Sequence, residues 1–486
     1  MNDWFLPADE RGWTSGNEVT PHVHGAGYFA RLLEVVRAAE PGDRIFLSDW
    51  RGDADERLTD DGPTVGEVLV DAAERGVEVR GLLWRSHSDT MELNAQENRR
   101  LGTLINEAGG ETLFDERVRR GGSHHQKLLV VRRKNCPEQD VAFVGGLDLC
   151  HGRRDDAEHH GDPQAPPLDD RYGPTPPWHD ASLEIRGPAV AELLDVFSER
   201  WDDPTPLDHR NPYRWLIHKK ARMPRHPEEL PERWDPPPAV GSHLVQVLRT
   251  YPSKRPAYPF APDGERSIAH AYERAFAQAR RLVYIEDQYF WSTAATRGLA
   301  DALRREPGLN VIVVVPRFTE EGGMSGAAMR WGQQQAIDQL REAGGDRFAI
   351  FDLNNAAGTP VYVHAKVCII DDQWFTCGSD NLNVRSWTHD SELSCAVVDP
   401  AGKLARELRF TLWSEHLGLP RNHVKLRSLD HATQLWHERA GNPSARIQVH
   451  EVEPVPALQR PLAKRLYRTA CDPDGRPRGL RGTDRF

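Results

Sequence analysis

Two stretches of the sequence repeat a histidine and a lysine separated by one residue. His125 and Lys127 lie in SHHQKLLVV, and His364 and Lys366 lie in VHAKVCII. Each pair leads into an apolar run that predicts a buried strand, and side chains two residues apart in an extended chain share a face. Two such pairs would suit a phosphodiester, because the ammonium groups neutralise its charge and the imidazoles supply a nucleophile and a general acid near neutral pH. A single pair arises by chance, whereas two pairs at matched positions of a repeat indicate a shared function.

A turn of small residues follows each apolar run and could let the backbone approach a phosphate. The first turn reads GGLD at 145–148, and the second reads GSDN at 378–381. A serine hydroxyl and an asparagine amide add neutral hydrogen-bond donors. The residues expected to bind substrate are Gly145, Gly146, Gly378, Ser379 and Asn381. The first copy carries the acid Asp148 where the second has the amide.

The elements that carry these residues form two unequal copies of one pattern. A helix followed by a strand ends near Asp49 in the first half and near Asp287 in the second, and another helix and buried strand follow each. Asp49 precedes His125 by 76 residues, and Asp287 precedes His364 by 77. Helices alternating with short apolar strands predict a duplicated α/β fold, with two mixed sheets flanked by helices and packed about a pseudo-twofold axis.

The chain divides into two halves, a linker and a tail. We expect an N-terminal half over residues 1–202, a linker rich in proline and charge over 203–241, a C-terminal half over 242–440 and a basic tail over 441–486. The tail could contact anionic lipid or pack on the acidic body, and charge runs are usually solvated faces.

A long irregular segment, residues 153–180, interrupts the first half. A loop of that length is either functional or mobile. Its His159 and His160 are interpreted as solvated, because no carboxylate stands at a spacing typical of a metal site. The sequence therefore predicts neither a metal nor another cofactor.

The two copies differ seven residues after the histidine, where the first has Arg132 and the second has Asp371. Strand alternation puts Arg132 on the face opposite His125, so the acid at the equivalent position of the second copy is interpreted as a structural brace rather than a proton carrier. The first copy also has a longer connection to its glycine turn. Asp140, at the end of that connection, could fold back, and either Arg132 or Asp140 could replace the brace.

Composition and charge narrow the functional classes. The 486 residues are 38% hydrophobic and 28% charged, with a formal net charge of −11. These values are ordinary for a globular enzyme and argue against a general nucleic-acid coat. No apolar run approaches the roughly 18 residues of a membrane span, no signal peptide is evident, and six cysteines without a C-x-x-C pair favour a reducing compartment. We expect a cytoplasmic protein.

The paired motifs resemble the signature of the phospholipase D superfamily, HxKxxxxD followed by GSxN, present twice. The similarity runs from about Val23 to about Glu415 and is to the compact form, without an N-terminal lipid-binding module. The resemblance implies metal-independent transfer in two steps through a covalent phosphohistidine. It implies that His125 is the nucleophile and His364 the acid and base, with both lysines on phosphate oxygens.

The resemblance also implies that each histidine is oriented by a carboxylate from the opposite half. By position, Asp390 should orient His125, and Asp155, favoured over Asp156, should orient His364. Such an acid fixes the tautomer and stabilises the imidazolium.

The implied function is hydrolysis of phosphatidylcholine-type lipids to phosphatidic acid and an alcohol, with transphosphatidylation when another alcohol is the acceptor. The alternatives are a phosphodiesterase or nuclease of the same superfamily and a non-catalytic lipid-binding relative. The expected partner is phospholipid at a membrane surface, without nucleic acid or a transmembrane segment, and a monomer is favoured.

Overall fold

The computed structural model describes residues 2–85, 95–207, 226–320, 322–442, 445–481, 483 and 486. The N-terminal half is a mixed sheet with the strand order β4–β3–β2–β5–β6–β8–β1. The first three strands are parallel, and the later pairs are antiparallel. Its strands are β1 (Thr14–Val23), β2 (Arg44–Asp49), β3 (Glu78–Trp84), β4 (Glu111–Asp115), β5 (Leu128–Arg132), β6 (Val141–Gly145), β7 (Trp178–His179) and β8 (Ala181–Arg186). Its helices are α1 (Gly25–Arg37), α2 (Val65–Glu74), α3 (Ala95–Glu107) and α4 (Ala189–Trp201).

The C-terminal half repeats this order as β13–β12–β11–β15–β16–β17–β9. Its strands are β9 (His243–Tyr251), β10 (Glu265–Arg266), β11 (Leu282–Glu286), β12 (Asn310–Val314), β13 (Phe348–Asn354), β14 (Pro360–Val363), β15 (Val367–Ile370), β16 (Trp374–Gly378), β17 (Glu392–Val398) and β18 (Ile447–Val449). Its helices are α5 (Ser267–Gln278), α6 (Arg297–Arg305), α7 (Gly323–Gly344), α8 (Val384–Thr388), α9 (Leu404–Leu417), α10 (Ala432–Ala440) and α11 (Arg460–Leu466). The fold expected from the repeats, two mixed sheets flanked by helices, is confirmed.

The two sheets are joined through equivalent strands, β1 and β9, which pair antiparallel. Their inner faces share one core, to which β5 contributes Leu128 and Val130 and β15 contributes Val367 and Ile369. The alternate side chains of β5 pack with α1, α2 and α3 on the outer face. Strands buried on both faces read as continuous apolar runs, which explains the sequence after each histidine. This core fixes the two strands at whose starts the histidines lie.

Helix boundaries follow local sequence signals. Thr64 caps α2: its hydroxyl accepts the Glu67 amide at 3.2 Å, and the Glu67 carboxylate accepts the Thr64 amide at 2.9 Å. This capping box satisfies two amide groups that a helix N-terminus leaves without partners. No helix of the described residues is both long enough and apolar enough to cross a bilayer.

The long segment 153–180 is largely irregular and packs into the protein. The prediction that both of its histidines are solvated is wrong for His159, which is fully buried. His160 is exposed and pairs with Asp156 at 2.9 Å. Burial of His159 comes from the second half, where Glu415 on α9 lies 3.0 Å from its Nε2 atom.

The segments expected to be a linker and a tail differ in how much the structure describes. Residues 208–225 of the linker lie outside the described residues, and 226–241 contain no helix or strand. In the tail, α11 packs on α7 through Ala463 and Ala327. Further along, the Arg385 amide donates to Asp472 at 2.8 Å. This part of the tail therefore packs beside α8, close to the second glycine turn.

Candidate active site

Each histidine–lysine pair lies just before its strand and is anchored on the opposite half of the molecule. The His125 amide donates to the Ser391 carbonyl at 2.9 Å, and the His364 amide donates to the His179 carbonyl at 2.8 Å. These equivalent hydrogen bonds place the start of β5 beside β17 and the start of β15 beside β7. The two motifs therefore form one composite site across the pseudo-twofold axis.

Each imidazole pairs with a carboxylate supplied by the other half. The Nδ1 atom of His125 lies 2.8 Å from Glu392 Oε2, and the Nδ1 atom of His364 lies 2.6 Å from Asp180 Oδ2. Both carboxylates follow directly after the residue whose carbonyl anchors the partner motif. This reciprocal exchange orients both rings through Nδ1, so that Nε2 is the nitrogen of each ring available for chemistry.

The carboxylates predicted to pair with the two histidines, Asp390 and Asp155, contact other groups instead. Asp390 accepts the Ser123 amide at 2.8 Å and pairs with Arg385 at 2.6 Å, so it holds the segment before His125. Asp155 accepts backbone amides of its own loop, including that of Trp178 at 2.7 Å. The assignments of Asp390 and Asp155 to the histidines are therefore corrected to Glu392 and Asp180.

The acids that orient the histidines can be recognised from the serine that pairs with each glycine turn. Gly145 faces Ser182 on β8, and Gly378 faces Ser394 on β17. The orienting acid stands two residues before that serine in both halves. The HD dipeptides at 179–180 and 389–390 are not equivalent, because Asp180 pairs with His364 whereas Asp390 stands two residues before Glu392.

The small residues of the turns serve the carboxylates and the strand packing. A Cβ atom on Gly146 would lie 2.1 Å from Asp180 Oδ1, so glycine makes room for that carboxylate. The buried Ser379 hydroxyl donates to Glu392 Oε2 at 2.5 Å. Gly145 and Gly378 admit the facing serines, since an added Cβ would lie 2.2 and 1.8 Å from the serine hydroxyl oxygens. These contacts give the four residues a role in positioning and packing, and their direct contact with substrate stays a prediction.

Asn381 stays a candidate for substrate binding. Its side chain is buried, and its Oδ1 atom has no hydrogen-bond partner among the described residues. The equivalent residue of the first turn, Asp148, lies 3.2 Å from Lys127 Nζ. Burial alone would raise the pKa of Asp148, but Lys127 and Arg153 lower it to about 2. The acid in the first turn therefore stays ionised and fixes the Lys127 ammonium.

Burial dominates the electrostatics of the catalytic candidates. Burial, followed by the adjacent lysine of each motif, holds the pKa of His125 and of His364 well below the usual value. Burial lowers the pKa of Lys366 to about 8, although Asp180 and Asp287 oppose the shift. Burial and then Asp390 raise the pKa of Glu392 to about 8. Neutral imidazoles favour nucleophilic attack, and an incoming phosphate anion would favour the charged forms of both histidines and Lys366.

An arginine and two tryptophans that sequence reasoning missed also line the site. The Arg153 guanidinium lies 3.9 Å from the centre of the Trp178 ring and 3.8 Å from Asp148 Oδ2. Trp178 packs on His364 at 4.9 Å between ring centres, and Trp50 approaches His125 at 6.3 Å. Asp155 and Asp156 are the candidates that the sequence predicts in this segment, but Arg153, two residues before Asp155, is the residue that reaches the site.

The brace of the second half is Asp371, as its position suggested. Its carboxylate accepts the backbone amides of Arg280, Arg281 and Leu282 at 2.7 to 2.8 Å. It thereby ties the end of β15 to the start of β11.

In the first half, the acid that joins the equivalent strands, β2 and β5, lies before β2 rather than after β5. Asp43, which precedes β2, accepts the Lys134 amide at 2.9 Å and pairs with Arg133 at 3.0 Å. Arg132 pairs with Asp140 at 2.5 Å, with both side chains buried. Neither candidate alone replaces the motif acid: Asp43 supplies the brace, and Asp140 neutralises Arg132.

Restoring the motif acid by Arg132→Asp is expected to destabilise the protein. The substitution would leave the buried Asp140 carboxylate beside a second acid, and removing one partner of a buried pair costs about 3 to 5 kcal/mol. Urea unfolding measures the loss. The charge-swapped variant, Arg132→Asp with Asp140→Arg, should recover part of it. Wild-type stability with a large gain in activity for the single variant would contradict the braced arrangement.

Family models match a segment in each half of the chain. A model described as phospholipase D matches residues 50–211, and one described as cardiolipin synthase, PLD-like domain, matches residues 272–414. Phospholipase D alpha 1 of Vigna unguiculata is 26% identical over 485 residues, and phospholipase D alpha 2 of Arabidopsis thaliana is 27% identical over 488. Each alignment covers 73% of this chain but only 59% and 58% of the respective relative.

Among solved structures, phosphatidylserine synthase of Haemophilus influenzae Rd KW20 superposes with a TM-score of 0.54 at 15% identity. The superposition covers 96% of this chain and 95% of that one. At this identity the likeness shows a shared fold and nothing finer.

Proposed function

Because the chain belongs to the phospholipase D superfamily, we propose that it is a phosphodiesterase that hydrolyses phosphatidylcholine-type phospholipids. The products are phosphatidic acid and the free head-group alcohol. The observation that carries the proposal is the reciprocal pairing of His125 with Glu392 and of His364 with Asp180. That arrangement supplies two oriented imidazoles beside two lysines. These are the groups needed to attack a phosphodiester and to protonate its leaving group.

In the first proposed step, Nε2 of His125 attacks phosphorus and forms a P–N bond. The bond from phosphorus to the head-group oxygen breaks, and His364 Nε2 gives its proton to that oxygen. Lys127 and Lys366 stabilise the charge on the equatorial oxygens. Bound phosphate favours the protonated form of His364 that this step requires, against the effect of burial.

In the second proposed step, His364 is neutral and acts as the base. It takes a proton from water while the water oxygen attacks phosphorus, and the P–N bond to His125 breaks. An alcohol in place of water would yield a new phosphodiester, which is transphosphatidylation. The proton lost by water returns His364 to its starting form.

The proposal is tested with phosphatidylcholine vesicles, ethanol and a chelator that removes loosely held divalent ions. We expect phosphatidic acid and phosphatidylethanol, formed in a constant ratio at a fixed ethanol concentration because both arise from one intermediate. Absence of both lipids, together with cleavage of single-stranded DNA in a parallel reaction, would instead support the nuclease alternative.

The pH dependence of kcat/KM should be level below about pH 8 and fall above it. Below pH 8 the fraction of ionised Glu392, whose pKa is about 8, rises with pH and offsets the loss of protonated His364, whose pKa is held well below its usual value. Above pH 8 Lys366, whose pKa is also about 8, loses the charge that binds phosphate. The alkaline limb should fall about a hundredfold per pH unit, because kcat/KM reports the free enzyme and both His364 and Lys366 must be protonated there.

The matched control is Lys366→Arg, which keeps its charge throughout the range. Its kcat/KM should be lower overall and should fall only about tenfold per pH unit on the alkaline side, because protonated His364 is still required. An unchanged alkaline limb in this variant would show that another group titrates there.

A further inference from the structure

A second cluster of ionisable residues lies directly behind Asp180 and has no part in the proposed chemistry. His24, His159, His179 and Glu415 each place one ligand atom within 4.8 Å of the others. The three histidines are buried, His159 and His179 completely, and Glu415 is nearly so. They come from the end of β1, the long loop, β7 and α9, so the cluster exists only in the folded protein.

The hydrogen bonds of Glu286 fix which nitrogen of His179 faces the cluster. Glu286 Oε2 lies 2.9 Å from His179 Nε2, so that nitrogen carries the proton. In the neutral ring the lone pair of His179 Nδ1 then points toward Glu415, whose Oε1 atom is 3.9 Å away. His179 Nδ1 is buried and has no hydrogen-bond partner among the described residues.

His416 repeats this arrangement from α9. Its Nε2 atom lies 2.9 Å from Glu286 Oε1, and its Nδ1 atom faces Glu415 Oε1 at 3.6 Å, again without a hydrogen bond among the described residues. Two imidazole lone pairs thus converge on a carboxylate oxygen. Acceptors that face one another in a buried space need either a proton or a metal cation between them.

The donor set matches a borderline transition metal. Glu415 Oε2 forms a hydrogen bond of 2.7 Å with His24 Nε2, and Glu415 Oε1 forms one of 3.0 Å with His159 Nε2 and lies 3.9 Å from His179 Nδ1. These separations bracket the edge of a tetrahedron around zinc, about 3.3 Å for metal–ligand distances of about 2.0 to 2.1 Å. Glu286 behind His179 is the carboxylate that metal-ligating histidines commonly hold through their second nitrogen.

We propose that His24, His159, His179 and Glu415 bind a divalent transition-metal ion of the zinc class. The ion would join three residues of the first half to α9 of the second. The His179 carbonyl accepts the His364 amide, and Asp180 follows His179 in the chain. The ion is therefore a structural support for one half of the active site and does not contact the phosphate.

Metal content is the primary test, and it does not depend on lipid turnover. Purified protein is dialysed against ZnCl₂ or CoCl₂, passed through a desalting column and measured by elemental mass spectrometry. We expect stoichiometric metal, intense visible bands of tetrahedral Co²⁺, and a thermal midpoint that falls when a strong chelator removes the ion. Protein that takes up neither ion stoichiometrically would overturn the proposal and identify the cluster as histidines and carboxylates that share protons.

Variants locate the ion. His159→Ala and Glu415→Gln should each lose the Co²⁺ bands and at least tenfold in metal affinity. His160→Ala is the matched control, because His160 is the exposed neighbour in the same loop, and it should bind like wild type. If His159→Ala fails to fold, His24→Gln measured by the same bands replaces it. Full binding by the cluster variants would place the ion elsewhere and contradict the assignment.

Discussion

His364→Ala is expected to abolish turnover of phosphatidylcholine but to permit one round of chemistry on a lipid with a better leaving group. Choline needs a proton when it departs, and His364 is the group proposed to supply it. With phosphatidyl-p-nitrophenol the leaving phenolate needs no proton, so His125 can still attack. The variant then lacks the base that activates water, and the reaction should stop at the covalent intermediate.

The measurement is rapid-mixing absorbance of p-nitrophenolate. His364→Ala should give a burst equal to the enzyme concentration followed by a steady rate reduced about 10⁴-fold or more, as when a residue of a catalytic unit is removed. His125→Ala is the control and should give no burst. A burst from His125→Ala and none from His364→Ala would exchange the roles of the two histidines.

Glu392→Gln should have the next largest effect, lowering kcat by about 10³- to 10⁴-fold, since an amide in place of the orienting acid allows the wrong imidazole tautomer. The Glu392 carboxylate lies 2.8 Å from His125 Nδ1 and also accepts the Ser379 hydroxyl. The substitution keeps the side-chain volume and removes the charge. Steady-state kinetics with phosphatidylcholine vesicles measure the change, and kcat/KM should fall with rising pH below pH 8, where the wild type is level.

Asp390→Asn is the matched control, because Asp390 stands two residues away and is also buried. It pairs with Arg385 and the Ser123 amide rather than with the histidine. We expect a lower thermal midpoint and a change in kcat of less than about tenfold. Equal losses of kcat in both variants at a temperature where both are folded would restore Asp390 as the orienting acid.

The sequence predicted the features that depend on local pattern. The repeat at matched spacing identified both halves, and the apolar runs after His125 and His364 identified the strands that position them. These signals survive in a single sequence because a strand buried on both faces must be apolar throughout. The joining of the halves through β1 and β9 was not predicted, since nothing local marks which edge strands pair.

Features that depend on register between distant segments were missed. Asp390 and Glu392 both precede β17 or begin it, and only the pairing of Gly378 with Ser394 selects Glu392. The hydrogen bond from the Ser379 hydroxyl to that carboxylate was not predicted. His159 looked solvated because its carboxylate partner Glu415 lies 256 residues along the chain. Such contacts arise from the tertiary structure, so no regular spacing in the sequence predicts them.

The covalent intermediate tests the central claim most directly. His364→Ala is mixed with phosphatidyl-p-nitrophenol, quenched at the end of the burst under alkaline conditions that preserve phosphohistidine, digested and analysed by mass spectrometry. The composite site predicts a phosphatidyl group on the peptide that contains His125, in an amount equal to the burst. A full burst with the label on another residue, or with no covalent label at all, would contradict it.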